Sequence, residues 1–127
     1  MALILTAGQY PFGNTQPAGA LLALSALGNS GVVTLPMKQS IYMYGGISML
    51  LNISAGASLT ANVQVSNDPT AFTSPGTALW NLHDVLNNLT TSKNSSMVYP
   101  VYALRLNVSA WNSGTATLQI GIYDYQT

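Results

Sequence analysis

Apolar and polar residues alternate one by one in four segments of this chain. The apolar positions are Ile47, Met49, Leu51 and Ile53; Leu59, Ala61, Val63 and Val65; Tyr102, Leu104, Leu106 and Val108; and Leu118, Ile120 and Ile122. Successive side chains of a strand point to opposite faces, so this period predicts strands that are buried on one face. The runs ALLALSAL (20–27) and GVVTLP (31–36) also fit strands, although the alanine and leucine content of the first leaves a short helix open.

Turn-forming residues between neighbouring segments predict three β-hairpins. The turns fall at Ala55–Ala57, at Asn112–Gly114 and at Gly28–Gly31. Glycine and asparagine tolerate the backbone angles that tight turns require, and short turns between two alternating segments are typical of hairpins. We therefore expect each pair of flanking strands to be neighbours in one sheet.

The stretch from Asn67 to Ser96 contains Pro69 and Pro75 among many turn-forming residues, and it is predicted as a long connection. Its middle, TALWNLHDVLNNL (77–89), places Leu79, Leu82 and Leu86 at near-helical spacing and predicts one or two short turns. Strands at regular intervals with polar turns predict an all-β fold. We expect a single β-sandwich or jelly-roll-like domain over residues 18–127.

Residues 1–17 differ from the rest of the chain because glycines and prolines interrupt any regular element. This segment is predicted to be an extended N-terminal arm. Its apolar side chains are Leu3, Ile4, Leu5, Tyr10 and Phe12. Such an arm must place these side chains on its own sandwich or on a neighbouring subunit, and we predict that they contact a partner.

Charge is scarce along the 127 residues, because charged side chains make up only 5% and the formal net charge is +0. Nucleic-acid binding needs clustered cations, and the three here, Lys38, Lys93 and Arg105, are scattered, so we expect none. The longest nearly apolar stretch, Ala18 to Leu27, is shorter than the ~20 residues that span a bilayer, and no basic leader precedes it. We expect neither secretion nor membrane insertion.

His83 and Asp84 form the only histidine–carboxylate pair that could support acid–base catalysis. Adjacent residues on a strand point apart, so a hydrogen bond within a loop is the simpler interpretation. One histidine, no cysteine and isolated aspartates do not make a metal site, and Asn67-Asp68 before Pro69 fits an Asx turn better than a calcium ligand pair. We predict that the chain is not an enzyme and needs no cofactor or metal.

Arg105 interrupts an outward row formed by Val101, Ala103, Asn107 and Ser109. Its guanidinium is expected on a face that is polar or covered by a partner, where an arginine–carboxylate contact would fix the orientation of that partner. The alternative is a solvated charge on a strand. Aromatic rings favour cores or interfaces, while stacking on carbohydrate stays open for Trp80, Trp111, Tyr99, Tyr123 and Tyr125.

Three motifs in residues 47–125 carry a resemblance to a known group of proteins. They are VQVSND (63–68), the W-x-x-H-D turn (80–84) and YPV-x-ALRLNVSAW-x-SGT-x-TL (99–118). This part of the chain resembles the cement or decoration proteins of tailed-bacteriophage heads, which are small β-sandwich proteins. The N-terminal 40 residues do not match a pattern of that group, which leaves the partner of the arm open.

The resemblance implies a structural virion protein on the outer surface of the capsid, where it ties neighbouring capsomers of the major capsid protein together. The residues predicted to bind partners are Leu3, Ile4, Leu5, Tyr10, Phe12, Arg105, Tyr123 and Tyr125. Exposed strand edges with little charge also predict a homo-oligomer, a dimer in preference to a trimer. The alternative is a glycan- or receptor-binding sandwich of a tail or another virion appendage.

Overall fold

The computed structural model describes residues 3–4, 18–35, 47–97 and 101–122, which form ten strands and no helix. The strands are β1 (Leu3–Ile4), β2 (Ala18–Leu24), β3 (Gly28–Asn29), β4 (Val33–Thr34), β5 (Ile47–Ile53), β6 (Ser58–Ser66), β7 (Asn81–Leu82), β8 (Lys93–Met97), β9 (Ala103–Ser113) and β10 (Ala116–Ile122). The predicted all-β class is confirmed. The ALLALSAL run contributes to strand β2, not to a helix.

Two sheets pack against each other. The four-stranded sheet has the order β2-β10-β5-β8, and the six-stranded sheet has the order β1-β4-β9-β6-β7, with β3 also paired to β9. The described strand pairs are antiparallel, except that β1 runs parallel to β4. From β2 onwards the chain crosses repeatedly from one sheet to the other. This strand order is that of an eight-stranded jelly roll, with β3 and β4 sharing one strand position, and it confirms the predicted sandwich.

The three predicted hairpins are wrong. The turn at Ala55–Ala57 lies where the sequence predicts it, and the turn predicted at Asn112–Gly114 begins only at Gly114, because β9 continues to Ser113. The third bend lies at residues 25–27, ahead of the predicted Gly28–Gly31, which contains β3. β5 and β6 belong to different sheets, and so do β9 and β10, and β2 and β3. Each turn therefore carries the chain across the sandwich instead of joining two neighbours in one sheet. A short polar turn reverses the chain in either arrangement, and the alternation of the flanking strands is the same, so the sequence pattern does not distinguish the two.

Two of these crossing turns lie side by side and bond to each other. The N–H of Ser54 donates to the carbonyl oxygen of Thr115 at 3.0 Å, and the N–H of Thr115 donates to the hydroxyl of Ser54 at 3.0 Å. Gly114 has a φ of +93°, and a Cβ there would overlap the Cβ of Ala57. Glycine meets both requirements, so residue 114 determines how closely the turns approach.

The apolar positions of the alternation meet between the sheets and form the main core. Its fully buried members include Ile47, Met49, Leu51, Val63, Leu104, Leu106 and Leu118. The expected alternation fails just before β9, where Val101 lies in the main core and Tyr102 packs on the outer side of the six-stranded sheet. Because β9 begins at Ala103, the two residues before it are not bound to the alternation of the strand.

The predicted long connection between residues 67 and 96 is wrong in one respect, because it contains the strands β7 and β8. β8 pairs with β5 at the edge of the four-stranded sheet. Its sequence, KNSSM, has one apolar residue and therefore shows no alternation. An edge strand with few buried side chains leaves little hydrophobic signal.

The N-terminal arm is described only at β1, whose Leu3 and Ile4 align with Val33 and Thr34 of β4. The pairing places these two residues in the chain's own six-stranded sheet. The rest of the proposed arm, including Leu5, Tyr10 and Phe12, lies outside the described residues. The partner contact predicted for the arm stays a prediction.

Candidate interaction surface

The outer face of the six-stranded sheet is overlaid by residues 67–80, here called the covering segment. A second, small apolar cluster forms between this segment and the sheet. Its members are Val32, Ala71 and Ala103, with Phe72, Ala78, Trp80 and Tyr102 packed against them. Ala103 points outward from β9 and is nevertheless fully buried, so the chain itself covers part of this face.

Asp68 holds the covering segment in shape. Its Oδ1 accepts hydrogen bonds from the N–H of Thr70 at 2.9 Å and from the Thr70 hydroxyl at 2.7 Å, and its Oδ2 accepts one from the N–H of Leu79 at 3.0 Å. The bond to the residue two positions on confirms the expected Asx turn. The hydrogen bonds from Thr70, and next the one from Leu79, lower the pKa of Asp68 below its ordinary value of 3.8.

Arg105 lies on this face, held between two side chains. Its guanidinium carbon is 4.1 Å from the centre of the Trp80 ring, and its Nε–H donates to Oε1 of Gln64 at 2.7 Å. Trp80 is fixed in turn, because its Nε1–H donates to the carbonyl oxygen of Pro75 at 3.0 Å. Stacking on the ring sets the plane of the guanidinium, and the hydrogen bond to Gln64 sets its rotation.

The stacked arginine has lost part of its hydration, and this desolvation lowers the pKa of Arg105 from its ordinary value. The hydrogen bond to Gln64 uses Nε and leaves the two Nη groups, which carry four N–H donors. Within the described part of the chain, no carboxylate forms an ion pair with Arg105. The structure places the guanidinium on the outer face of the six-stranded sheet, where it is covered by the chain's own Trp80, and its contact with a partner stays a prediction.

Exposed leucines adjoin the arginine. Leu82 aligns with Gln64 across β7 and β6, and Gln64 aligns with Arg105 across β6 and β9, so the three form one row. Leu79 precedes Trp80 and is 78% exposed, while Leu82 is 47% exposed. Leu79, Trp80, Leu82 and Arg105 are called the Arg105 surface below. An aromatic ring, an oriented arginine and exposed aliphatic side chains are the elements of energetically important interface positions.

The outer face of the four-stranded sheet has a different character. One row across it consists of Leu21, Gln119, Leu50 and Asn94. The neighbouring outward positions carry glycine, alanine, serine, threonine and asparagine. None of the outward positions on the described strands of this sheet is charged, and Leu21 is 61% exposed. This face is neutral, and side chains such as Leu21, Gln119 and Asn94 are open to solvent.

His83 is buried and bonded to the backbone through both ring nitrogens. Nδ1 accepts the N–H groups of Val85 at 3.1 Å and Leu86 at 3.0 Å, and Nε2 lies 3.1 Å from the carbonyl oxygen of Ser96. These contacts assign the ring proton to Nε2. Asp84 is exposed, and its Oδ1 is 3.8 Å from Nδ1. These hydrogen bonds agree with the hydrogen-bonding role within a loop that the sequence analysis gave as the simpler interpretation than acid–base catalysis.

Asn62 is a buried polar side chain that connects three segments. Its Oδ1 accepts the N–H of Asn88, and its Nδ2 donates to Oδ1 of Asn107 at 2.9 Å. Asn107 donates in turn to Oδ1 of Asn29 at 2.7 Å. Asn88 has a φ of 51°, in the left-handed region that asparagine tolerates. These amides tie strands β3, β9 and β6 to the segment that follows β7.

Among the residues predicted to bind partners, the structure describes Arg105 and the backbone pairing of Leu3 and Ile4, whose strand β1 is separated from β9 by β4 in the same sheet. Tyr123, Tyr125 and Tyr99 lie outside the described residues. No three histidine, cysteine, aspartate or glutamate side chains in the described ranges are grouped to hold a metal ion. The same ranges contain no helix long and apolar enough to cross a membrane.

The sequence did not show that Trp80 and Arg105 meet. They are far apart in the chain, and the contact depends on the path of the covering segment. A signal was present in the alternation, which puts Arg105 and Gln64 on the outward side of two strands. Nothing in that pattern identifies Leu79 and Leu82 as exposed, because leucines at this spacing are ordinarily buried.

No protein-family model and no curated protein matches this chain. Among solved structures, the chain is similar to IMPa from Pseudomonas aeruginosa, whose structure was determined in complex with an O-glycopeptide. The identity is 15% and the TM-score 0.37, and the match covers 87% of this chain but only 13% of that one. A similarity at this level carries no argument about function.

Proposed function

We propose that this chain is a structural protein of a tailed-bacteriophage virion that binds the outer surface of the capsid and cements neighbouring capsomers of the major capsid protein. The observation that carries the proposal is the Arg105 surface. It combines the oriented guanidinium of Arg105 with the exposed side chains of Leu79 and Leu82. The sequence resemblance to phage cement proteins supplies the capsid as the partner.

Cementing requires contact area and a defined orientation, and the Arg105 surface offers both. Aliphatic side chains supply burial that depends little on salt, whereas a two-pronged arginine contact accepts a partner in one geometry. Each copy needs only a modest contact, because many copies on a shell add their contributions through multivalency.

The capsid group that Arg105 would bind is a carboxylate. Nη1 and Nη2 can donate two parallel hydrogen bonds to the oxygens of an aspartate or glutamate, and stacking on Trp80 has already removed part of the hydration of the guanidinium. Since Trp80 and Gln64 hold the plane, little side-chain freedom is lost on binding. Cementing through this surface needs no cofactor.

The test is a binding titration of the purified protein against phage capsids that lack it. Arg105→Ala is expected to weaken attachment by about 2 kcal/mol or more, roughly 30-fold, because a capsid carboxylate loses its partner. Arg105→Lys should recover only part of the loss, since an ammonium cannot form the two-pronged contact. Lys93→Ala is the matched control, because Lys93 is an exposed cation on β8 of the other sheet.

The outcomes separate the function from the site. A wild-type protein that does not attach to these capsids contradicts the cement function. Attachment that is equally strong in wild type and Arg105→Ala leaves cementing in place and rejects the Arg105 surface. Equal losses in Arg105→Ala and Lys93→Ala would indicate general electrostatic attraction in place of a fixed contact.

A further inference from the structure

We propose that a groove beside Trp111 binds a neutral carbohydrate. The groove is open to solvent and has a volume of about 370 Å³, near the lower end of the roughly 300–1,000 Å³ of small-molecule sites. It lies where β6 begins and β9 ends, and its lining includes Trp111 and Thr90. Trp111 lies six positions after Arg105 on β9, about 20 Å along the strand, so the groove is distinct from the Arg105 surface.

Trp111 is held in place and still offers its ring. Its Nε1–H donates to the carbonyl oxygen of Gly114 at 2.9 Å, and the residue is 38% exposed. With the only polar atom of the indole already bonded, the ring face is the part left for a ligand. Sugar rings present a face of C–H bonds, which carry slight positive charge and suit the negative face of an indole.

The rest of the described lining combines four polar, uncharged residues with the apolar residues Ala57, Leu59 and Ala110. Three lining residues, Ser58, Thr60 and Thr90, carry hydroxyl groups, and the Nδ2 of Asn112 donates to the Ser58 hydroxyl at 3.3 Å. That contact leaves Oδ1 and one N–H of Asn112 for a ligand. Hydroxyls and an amide beside an aromatic ring match the alternating polar edge and apolar face of a sugar. Among the described residues that line the groove none is charged, so these residues offer no counter-ion to an anionic ligand.

The backbone around the groove departs from regular pairing. Leu59 aligns with Trp111 and Ser58 with Ser113, so β9 carries an extra residue at Asn112. A second irregularity follows between Thr60 and Ala61, where β9 carries Ser109 in excess. β-Bulges redirect side chains and are frequent next to functional sites. Both irregularities of this strand pair fall at the groove.

Saturation-transfer NMR tests the proposal with three neutral disaccharides as probes: lactose, maltose and N,N′-diacetylchitobiose. We expect transfer to the C–H protons of at least one of them, and an apparent affinity at least about tenfold weaker in Trp111→Ala. Thr90→Arg keeps the tryptophan and fills the groove with an exposed side chain, so it should also remove the signal. Leu79→Ala, on the Arg105 surface, is the control and should bind the sugar as the wild type does.

Absence of transfer from all three probes overturns the proposal. So does transfer that persists in both Trp111→Ala and Thr90→Arg, because the sugar would then contact another part of the protein. Circular dichroism of each variant establishes whether it is folded. If Trp111→Ala does not fold, the result for Thr90→Arg still tests the proposal. Capsid attachment through the Arg105 surface does not depend on this result.

Discussion

The two outer faces of the sandwich differ, although both are formed by strands of alternating polarity. The six-stranded sheet is overlaid by the covering segment, which buries Ala103 and packs Trp80 against Arg105. On the four-stranded sheet, outward side chains such as Leu21 and Gln119 are exposed to solvent, and the described outward positions are uncharged. The alternation of polar and apolar residues thus determines which side chains point outward. The covering segment determines which of them are shielded from solvent.

The comparison also separates two kinds of surface. On the covered face, an arginine is oriented by neighbours that are themselves fixed, so a partner would meet a rigid polar group. On the open face, the uncharged side chains present no such anchor. Rigid, partly desolvated groups carry most of the energy of specific interfaces, which favours the Arg105 surface for a defined contact and the open face for weaker self-association.

The largest expected difference is between the same substitution in the main core and on the open face of the four-stranded sheet. Leu86→Ala should lower the free energy of unfolding by about 2–5 kcal/mol, because Leu86 follows β7 and is fully buried in the main core. Leu21→Ala should change it by no more than about 0.5 kcal/mol, because Leu21 lies exposed on the four-stranded sheet. Urea unfolding of both variants measures the difference, and equal losses would show that the open face is covered in solution.

A second pair compares two asparagines. Asn62→Ala should lower the free energy of unfolding by about 1–3 kcal/mol, because the N–H of Asn88 and the amide of Asn107 lose a buried partner. Asn52→Ala removes an exposed side chain from β5 and should be nearly neutral. The same unfolding experiment measures both. A neutral Asn62→Ala would mean that water replaces the amide and that this network does not hold the segment after β7.

Acid should loosen the covering segment through Asp68. Its pKa is lowered in the folded protein, so its ionised form stabilises the fold above its ordinary pKa of 3.8, and that contribution disappears as the pH falls through the folded value. Asp68→Asn should therefore reduce stability near neutral pH, and its difference from wild type should shrink in acid. Thermal unfolding across this pH range measures the difference. A difference that does not vary with pH would contradict the role of the carboxylate.

The smallest effect is expected for self-association, which we propose occurs through the open face and favours a dimer over a trimer. A neutral face can meet its own copy without opposing like charges. Leu50→Lys introduces such charges and should shift light scattering after gel filtration towards the monomer. Leu79→Lys, on the other face, should leave the oligomer unchanged. A monomeric wild type, or an oligomer unaffected by Leu50→Lys, would reject this interface.

The sequence was sufficient for the class of fold because alternation is a local property. The core positions of β5, β6, β9 and β10 follow directly from their apolar residues, and the turn at Ala55–Ala57 lies where predicted. The turn predicted at Asn112–Gly114 begins two residues later, at Gly114. The pairing of strands was not predictable from these signals. It depends on which sheet each strand joins, and the same turn chemistry serves a hairpin and a crossing between sheets.

The interaction surface was less accessible to sequence reasoning. The outward position of Arg105 follows from the alternation, but its stacking on Trp80 depends on the path of the covering segment. That path is set by the carboxylate of Asp68 and the hydrogen bond of Trp80 to Pro75, which are contacts between residues of an irregular loop. Periodicity carries no information about such loops.

The proposed cement function is tested most directly by a cryo-electron reconstruction of the phage particle to which we propose this chain belongs. Cementing predicts density for the sandwich on the outer shell, between neighbouring capsomers, with the Arg105 surface facing the capsid and a capsid carboxylate at the guanidinium. Density for the chain at the tail, or a particle without it, would contradict the proposed function.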